Sequence, residues 1–164
     1  ELGAVRTNIK SIKELNFEFQ NMKKLIEKAE AFESTGVYFC EEMADAPIAE
    51  LFLSFRSDPV FGKVMVVGMG GIYTEIFNDT KTLILPVSRQ ELLSHLTELK
   101  GYKIILGYRN KLKVNKNKLL DGLFNLIDFF LDETNECVSL EINPLFVYER
   151  SVKVIDCVME RKVS

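Results

Sequence analysis

Histidine, cysteine, proline and tryptophan are all scarce in this chain: one, three, four and none in 164 residues. A Ser/His/Asp triad would have to use His95, and no nucleophile-elbow motif accompanies it. Cys40, Cys137 and Cys157 have neither a zinc spacing nor the even number of a disulfide framework, so they are expected to be buried, reduced thiols. No apolar run reaches the roughly 18–20 residues of a membrane span, and no signal-peptide pattern opens the chain. Basic residues are outnumbered, 21 Lys+Arg against 24 Asp+Glu, and scattered, which argues against a nucleic-acid surface; neither a nucleic acid nor a membrane is an expected partner. The expectation is a soluble cytoplasmic protein.

What is abundant is core material. At 47% hydrophobic residues over 164 positions, one domain spanning 1–164 can bury a core without disulfides or a structural metal. Ser11-Ile12-Lys13-Glu14 and Ser88-Arg89-Gln90-Glu91 are capping boxes that open helices. Ile12, Leu15, Phe19, Met22, Ile26, Ala29 and Phe32 recur in steps of three and four behind the first, and Leu92, Leu96 and Leu99 behind the second. A third helix is predicted from about Asn115 to Leu131, with Leu120, Phe124, Ile127 and Leu131 inward. Between them lie β-rich runs at Gly3–Ile9, Val37–Met43, Ile48–Phe55, Lys63–Gly68, Thr82–Pro86, Cys137–Ile142, Leu145–Glu149 and Val152–Cys157. Ala44–Pro47 and Arg150-Ser151 are expected hairpin loops. Helices over strands with short connections predict an α/β fold of the α+β sandwich type, with much antiparallel pairing.

The residues most suited to chemistry lie in Glu141-Ile142-Asn143-Pro144-Leu145. Strand positions two apart share a face about 6.5–7 Å apart, so Glu141 and Asn143 project together while Ile142 faces the core. If Arg150-Ser151 is a two-residue loop, Leu145 lies opposite Asp156, and Asp156 joins that face. Two carboxylates beside an amide oxygen suit a hard cation such as Mg²⁺, and a solvated polar face is the plainer alternative. Gly68-Met69-Gly70-Gly71 places three glycines in four positions after a strand, either a tight turn or a backbone nest for an anion. Arg109 could clamp a phosphate bidentately or be a solvated surface arginine. Glu75 could orient a catalytic group or pair with a lysine. His95 is read as an ordinary helix-surface histidine.

Glu141–Leu145 followed by Val154-Ile155-Asp156 resembles the metal-binding end of the ATP-grasp domain in ADP-forming acyl-CoA synthetases and the related succinyl-CoA synthetase β chain. Asp58-Pro59-Val60-Phe61-Gly62, Val64–Val67, Gly68–Glu75, Gly107-Tyr108-Arg109 and the opening Gly3-Ala4-Val5-Arg6 resemble the same family, in the same order. The resemblance implies an ATP-grasp fold, its C-terminal lobe with part of the N-terminal lobe missing. It also implies an acid–CoA ligase that interconverts acyl-CoA, ADP and phosphate with a free acid, CoA and ATP through acyl phosphate and phosphohistidine.

By the same resemblance, Asn143 and Asp156 hold Mg²⁺ with Glu141 beside them. Glu41, Glu42 and Met43 belong to a strand-end hinge that cradles the adenine of ATP/ADP, and Glu50 contacts the nucleotide. Gly70 and Gly71 lie by its phosphates, and Glu75 and Arg109 take catalytic roles. The implied partner is a CoA-binding α subunit or fused domain, the substrate an acyl-CoA and its carboxylic acid, and the isolated chain is expected to be inactive. The alternative is a non-catalytic interaction or regulatory domain that retains the fold.

Overall fold

Side-chain caps set the helix starts. In the computed structural model, which describes residues 4–28, 37–71, 79–108 and 112–162, the Ser11 hydroxyl accepts from the Glu14 amide at 3.1 Å, and Glu14 reaches back to the Lys10 amide at 2.8 Å. These bonds satisfy first-turn donors and open α1 (Ile12–Lys28). Ser88 accepts from the Glu91 amide at 3.2 Å and opens α2 (Arg89–Thr97). A short α3 (Tyr102–Ile105) follows, and Asn115 caps α4 (Lys116–Leu131) through the amides of Asn117 and Lys118.

The chain divides into two units, Glu1–Asp45 and Ala46–Ser164. Within the first, Arg6 pairs with Glu18 at 2.8 Å, and Phe19 meets Tyr38 edge to face with centroids 4.8 Å apart. No residue of α1 is buried, although its apolar spacing is that of a core helix. The described residues of the two expected strands, 4–9 and 37–43, form no strand, so Ala44–Pro47 joins no hairpin. β-prone side chains make a strand only where another strand completes the ladder, and no described segment of this unit does so.

The second unit is an antiparallel sheet with helices on one face. Its strands are β1 (Ala49–Asp58), β2 (Gly62–Met69), β3 (Thr80–Ile84), β4 (Cys137–Val147), β5 (Val152–Val154) and β6 (Cys157–Arg161). Their order is β3-β2-β1-β4-β5, with β6 also paired to β4. Period-two alternation turns Leu51, Leu53 and Phe55 of β1, Met65 and Val67 of β2, and Leu140, Ile142, Leu145 and Val147 of β4 toward the helices, all buried. There they meet Leu92 and Leu96 of α2 and Leu119, Leu123, Ile127 and Phe130 of α4. Leu120 and Ile127 are buried, and Phe124 and Leu131 pack at the core's margin.

Two polar devices tie the layers together. Lys63 of β2 donates to the carbonyls of Phe130 and Leu131 at the C-terminus of α4, at 3.1 and 3.3 Å, and pairs with Glu133 at 2.6 Å. A cation at that end meets the negative pole of the helix. Arg89 bridges α2 to Asp121 of α4 at 2.8 Å.

The expected strands at 137–142 and 145–149 are one continuous strand, and the expected Val152–Cys157 strand is split into β5 and β6. Of the three cysteines only Cys137 is buried, and burial pushes its thiol pKa up. Cys40 and Cys157 are exposed, contrary to the expectation from their apolar neighbours.

Candidate functional site

On β4, Glu141 and Asn143 are exposed and Ile142, between them, is 1% exposed. The alternation then resets. The β1–β4 register passes from Leu53↔Ile142 to Leu51↔Leu145, so Phe52 alone faces both Asn143 and Pro144. This is a β-bulge, and the extra residue lets Ile142 and Leu145 both face the core although they are three apart. Asn143 and Pro144 are left on the side away from the helices.

The neighbouring strand breaks at the same level. Leu145 pairs with Val154 and Ile142 with Cys157, leaving Ile155 and Asp156 across from Pro144 and Asn143. The Asn143 amide donates to the Asp156 carbonyl and the Ile155 amide to the Pro144 carbonyl, both at 3.1 Å. Asp156 therefore stands directly across from Asn143. The expected Arg150-Ser151 loop is in fact four residues, 148–151, closed by Tyr148 N–H donating to the Ser151 carbonyl at 2.9 Å. The register slides by two, Val152 pairing with Val147 rather than Glu149. Asp156 thus comes level with Asn143 rather than with Leu145, and Leu145, which unbroken alternation would put on the Asn143 face, is turned into the core by the bulge.

Glu50 lies nearer the start of β1, across from Phe146. Its carbonyl accepts from the Gly70 amide at 2.7 Å, so that amide is engaged within the fold. A Cβ on Gly70 would come within 3.0 Å of the Leu51 backbone, and Gly71 has φ +72 with its Cβ position 2.8 Å from Glu50 Oε2. The glycines are thus required for close strand approach and for a left-handed turn against the Glu50 carboxylate. Met69 N–H likewise donates to the Asp79 carbonyl, at 3.2 Å.

The other expected residues fall elsewhere. Glu41, Glu42 and Met43 belong to the first unit, exposed and outside any strand. Glu75 and Arg109 lie outside the described residues. His95 is half-buried on α2, on the helical side of the sheet, with Nδ1 unpartnered. Among the described residues no three His, Cys, Asp or Glu side chains gather into a metal cage. Glu141, Asn143 and Asp156 supply two carboxylates and one amide on one exposed face, and neither carboxylate is paired with a described cation.

The sequence reading overlooked the continuation of this face toward the far end of β1. Glu50, Phe52, Ser54 and Arg56 are two apart and share it, with Ser54 across from Glu141 and Arg56 across from Ser139. The period-two signal was present in Glu50-Leu51-Phe52-Leu53-Ser54-Phe55-Arg56. At the β1–β2 turn, Asp58 accepts from the Val60 and Phe61 amides, each at 2.9 Å. The Phe61 and Val60 bonds hold its carboxyl below the usual range.

A family model described as the ATP-grasp domain matches residues 1–160. The chain is 33% identical over 156 residues to an acetate–CoA ligase [ADP-forming] of Methanocaldococcus jannaschii, a match that takes 90% of this chain and 21% of that protein. It is 30% identical over 164 residues to the beta subunit of acetate–CoA ligase [ADP-forming] I of Pyrococcus furiosus, covering 97% of this chain and 68% of that subunit. It therefore spans about a fifth of the first relative and about two thirds of the second. Among solved structures, it resembles the dinucleotide forming acetyl-coenzyme A synthetase 1 of Ca. Korarchaeum cryptofilum, in complex with coenzyme A and Mg-AMPPCP. That likeness has a TM-score of 0.82 at 25% identity, over 98% of this chain and 69% of the other. Among the described residues no helix is long and apolar enough to cross a membrane.

Proposed function

The chain belongs to the ATP-grasp domain family, and from that premise we propose that it is the nucleotide- and Mg²⁺-binding part of an ADP-forming acid–CoA ligase. The observation that carries the proposal is the paired break in β4 and its neighbour, which sets Asn143 across from Asp156 with Glu141 on the same exposed face. Oxygen donors with no competing cation fit Mg²⁺, which takes one or two protein oxygens and fills its octahedron with phosphate and water. When bound, the ion neutralises charge on the phosphate oxygens.

Asn143 and Asp156 would hold Mg²⁺, with Glu141 beside them as a further ligand or as a group supporting the ligands. Glu50, held by Gly70 and Gly71, forms the wall at the start of β1. Gly70 acts through backbone fit, since its amide is already engaged. Glu41, Glu42 and Met43 receive the adenine through backbone groups, Arg109 clamps phosphate oxygens, and Glu75 orients a catalytic group. The whole protein interconverts an acyl-CoA, ADP and phosphate with an acid, CoA and ATP. A CoA-binding subunit or fused domain supplies the histidine that carries the phosphoryl group, because His95 lies on the helical side.

Calorimetric titration of ATP into the full-length protein, with Mg²⁺ and with EDTA, tests this reading. Wild type and His95→Gln should bind Mg-ATP alike, and Asp156→Asn should weaken binding at least tenfold, about 1.4 kcal/mol, without loss of thermal stability. No Mg²⁺-dependent binding in wild type would contradict the ligase reading and favour an interaction domain. Unchanged affinity in Asp156→Asn would contradict the residue assignment.

A further inference from the structure

Asp79 precedes β3, and its half-buried side chain reaches away from the sheet into the helical layer. One carboxylate oxygen accepts from the Lys100 amide at 2.9 Å and the other from the Gly101 amide at 3.0 Å, in the turn between α2 and α3. Its backbone faces the sheet, where the carbonyl accepts from the Met69 amide at 3.2 Å. The next amide along, that of Gly70, donates to the Glu50 carbonyl at 2.7 Å. Met69 and Gly70 are therefore strung between Asp79 on one side and Glu50 on the other. Close approaches leave this junction little play. A Cβ on Gly68 would come within 2.8 Å of the Asp79 carbonyl, and one on Gly101 would run into the Met69 side chain. Gly71 then stands against the Glu50 carboxylate.

We propose that Asp79 is a positioning residue for the nucleotide site: its carboxylate, anchored on the α2–α3 turn, holds the end of β2 so that Gly70 and Gly71 keep Glu50 in place. This rests on the nucleotide reading above, in which Glu50 contacts the nucleotide. Among the described residues β3 stands at the end of the strand order, and no further strand holds its outer side. Its start needs an anchor outside the ladder. The Lys81–Glu98 pair, 2.6 Å long, is largely in solvent, and pairs of that kind hold weakly. A carboxylate accepting two backbone amides is the stronger tie, because hydrogen bonds to a charged acceptor exceed neutral ones. Asp79 acts at a distance of two hydrogen bonds from Glu50, through the Met69–Gly70 peptide. Its effect on binding therefore has to pass through Glu50, and a cap that served stability alone would show no such dependence.

Calorimetric titration of Mg-ATP into the full-length protein tests this as a cycle of wild type, Asp79→Ala, Glu50→Ala and the double variant. Each single substitution should weaken binding roughly threefold to thirtyfold, and the double variant should lie within about twofold of Glu50→Ala. Asp79→Asn keeps one acceptor oxygen and should recover part of the loss; it replaces Asp79→Ala in the cycle if that variant does not fold. Ser88→Ala removes the cap at the other end of α2 and should lower thermal stability while leaving the Mg-ATP Kd within about twofold. Unchanged affinity on substitution of Asp79 or of Glu50, or losses that multiply in the double variant, would overturn the role of Asp79. So would an equal loss in Ser88→Ala, since destabilisation would then account for both. Mg-ATP binding by wild type, weakened in Asp156→Asn, would in each of those cases leave the nucleotide reading standing. If wild type does not bind Mg-ATP, the nucleotide reading fails, and the role of Asp79 with it.

Discussion

On β4, Leu140, Ile142, Leu145 and Val147 are 5, 1, 0 and 0% exposed, while Glu141 and Asn143 among them lie exposed on the opposite face. Four buried side chains lock the strand to the helical layer, and the polar ones are held in place by a backbone they do little to stabilise. The bulge at Asn143-Pro144 and the break at Ile155-Asp156 bring two oxygen-bearing side chains level without taking a core residue out of the core. The comparison teaches that, in this sheet, stability and binding are assigned to opposite faces of the same strands. They can therefore be perturbed separately.

The sharpest way to break that division is Leu53→Ala. Leu53 is fully buried on β1 between Val67 and Ile142, so its truncation should cost about 3–4 kcal/mol of unfolding free energy. Denaturant melts of the folded variant should show a lower midpoint at unchanged slope, and Mg-ATP affinity measured below the midpoint should match wild type. Gly71→Ala tests the border between the faces. Its φ of +72 penalises any Cβ, and the new atom would meet Glu50 Oε2, so a loss of about 1–2 kcal/mol is expected together with weaker nucleotide binding. Stability lost without any change in affinity would separate Glu50 from the site.

The smallest effect belongs to a surface pair on the helical layer. The Arg89 hydrogen bond, with help from Lys118, lowers the Asp121 carboxyl below its ordinary 3.8. A depressed folded-state pKa stabilises above the unfolded value and loses that contribution as pH falls through the folded one. Wild type should therefore melt slightly above Asp121→Asn at pH 7, with the gap closing below about pH 4. A gap that persists at low pH would show that the carboxylate charge is not its source. Nucleotide binding should not follow this substitution at any pH.

How much of this was legible in the sequence depends on whether the signal was local. The capping serines, the Leu92–Leu96 stripe and the alternation around Ile142 are local, and they appear as read. The four-residue loop was missed because Tyr148 and Glu149 look like strand residues, and only the pairing of Val147 with Val152 ends the ladder before them. The expected pairing of Asp156 with Leu145 gave way to its pairing with Asn143, because neither the loop length nor the bulge that turns Leu145 into the core is a local signal. In the first unit, the apolar face of α1 and the β-prone 37–43 run were legible as composition, yet burial and pairing need partners that no local pattern reveals. Arg56 was overlooked because an arginine near a turn is an unremarkable surface residue until Ser139 and Glu160 are found level with it.

The most direct measurement is the position of the cation. Crystals of the full-length protein grown with Mn²⁺ in place of Mg²⁺ and a non-hydrolysable ATP analogue would locate the metal by its anomalous signal. The account predicts one peak within coordination distance of the Asn143 and Asp156 side-chain oxygens, with the nucleotide along the face that carries Glu50. A nucleotide bound with its metal away from both side chains would contradict it.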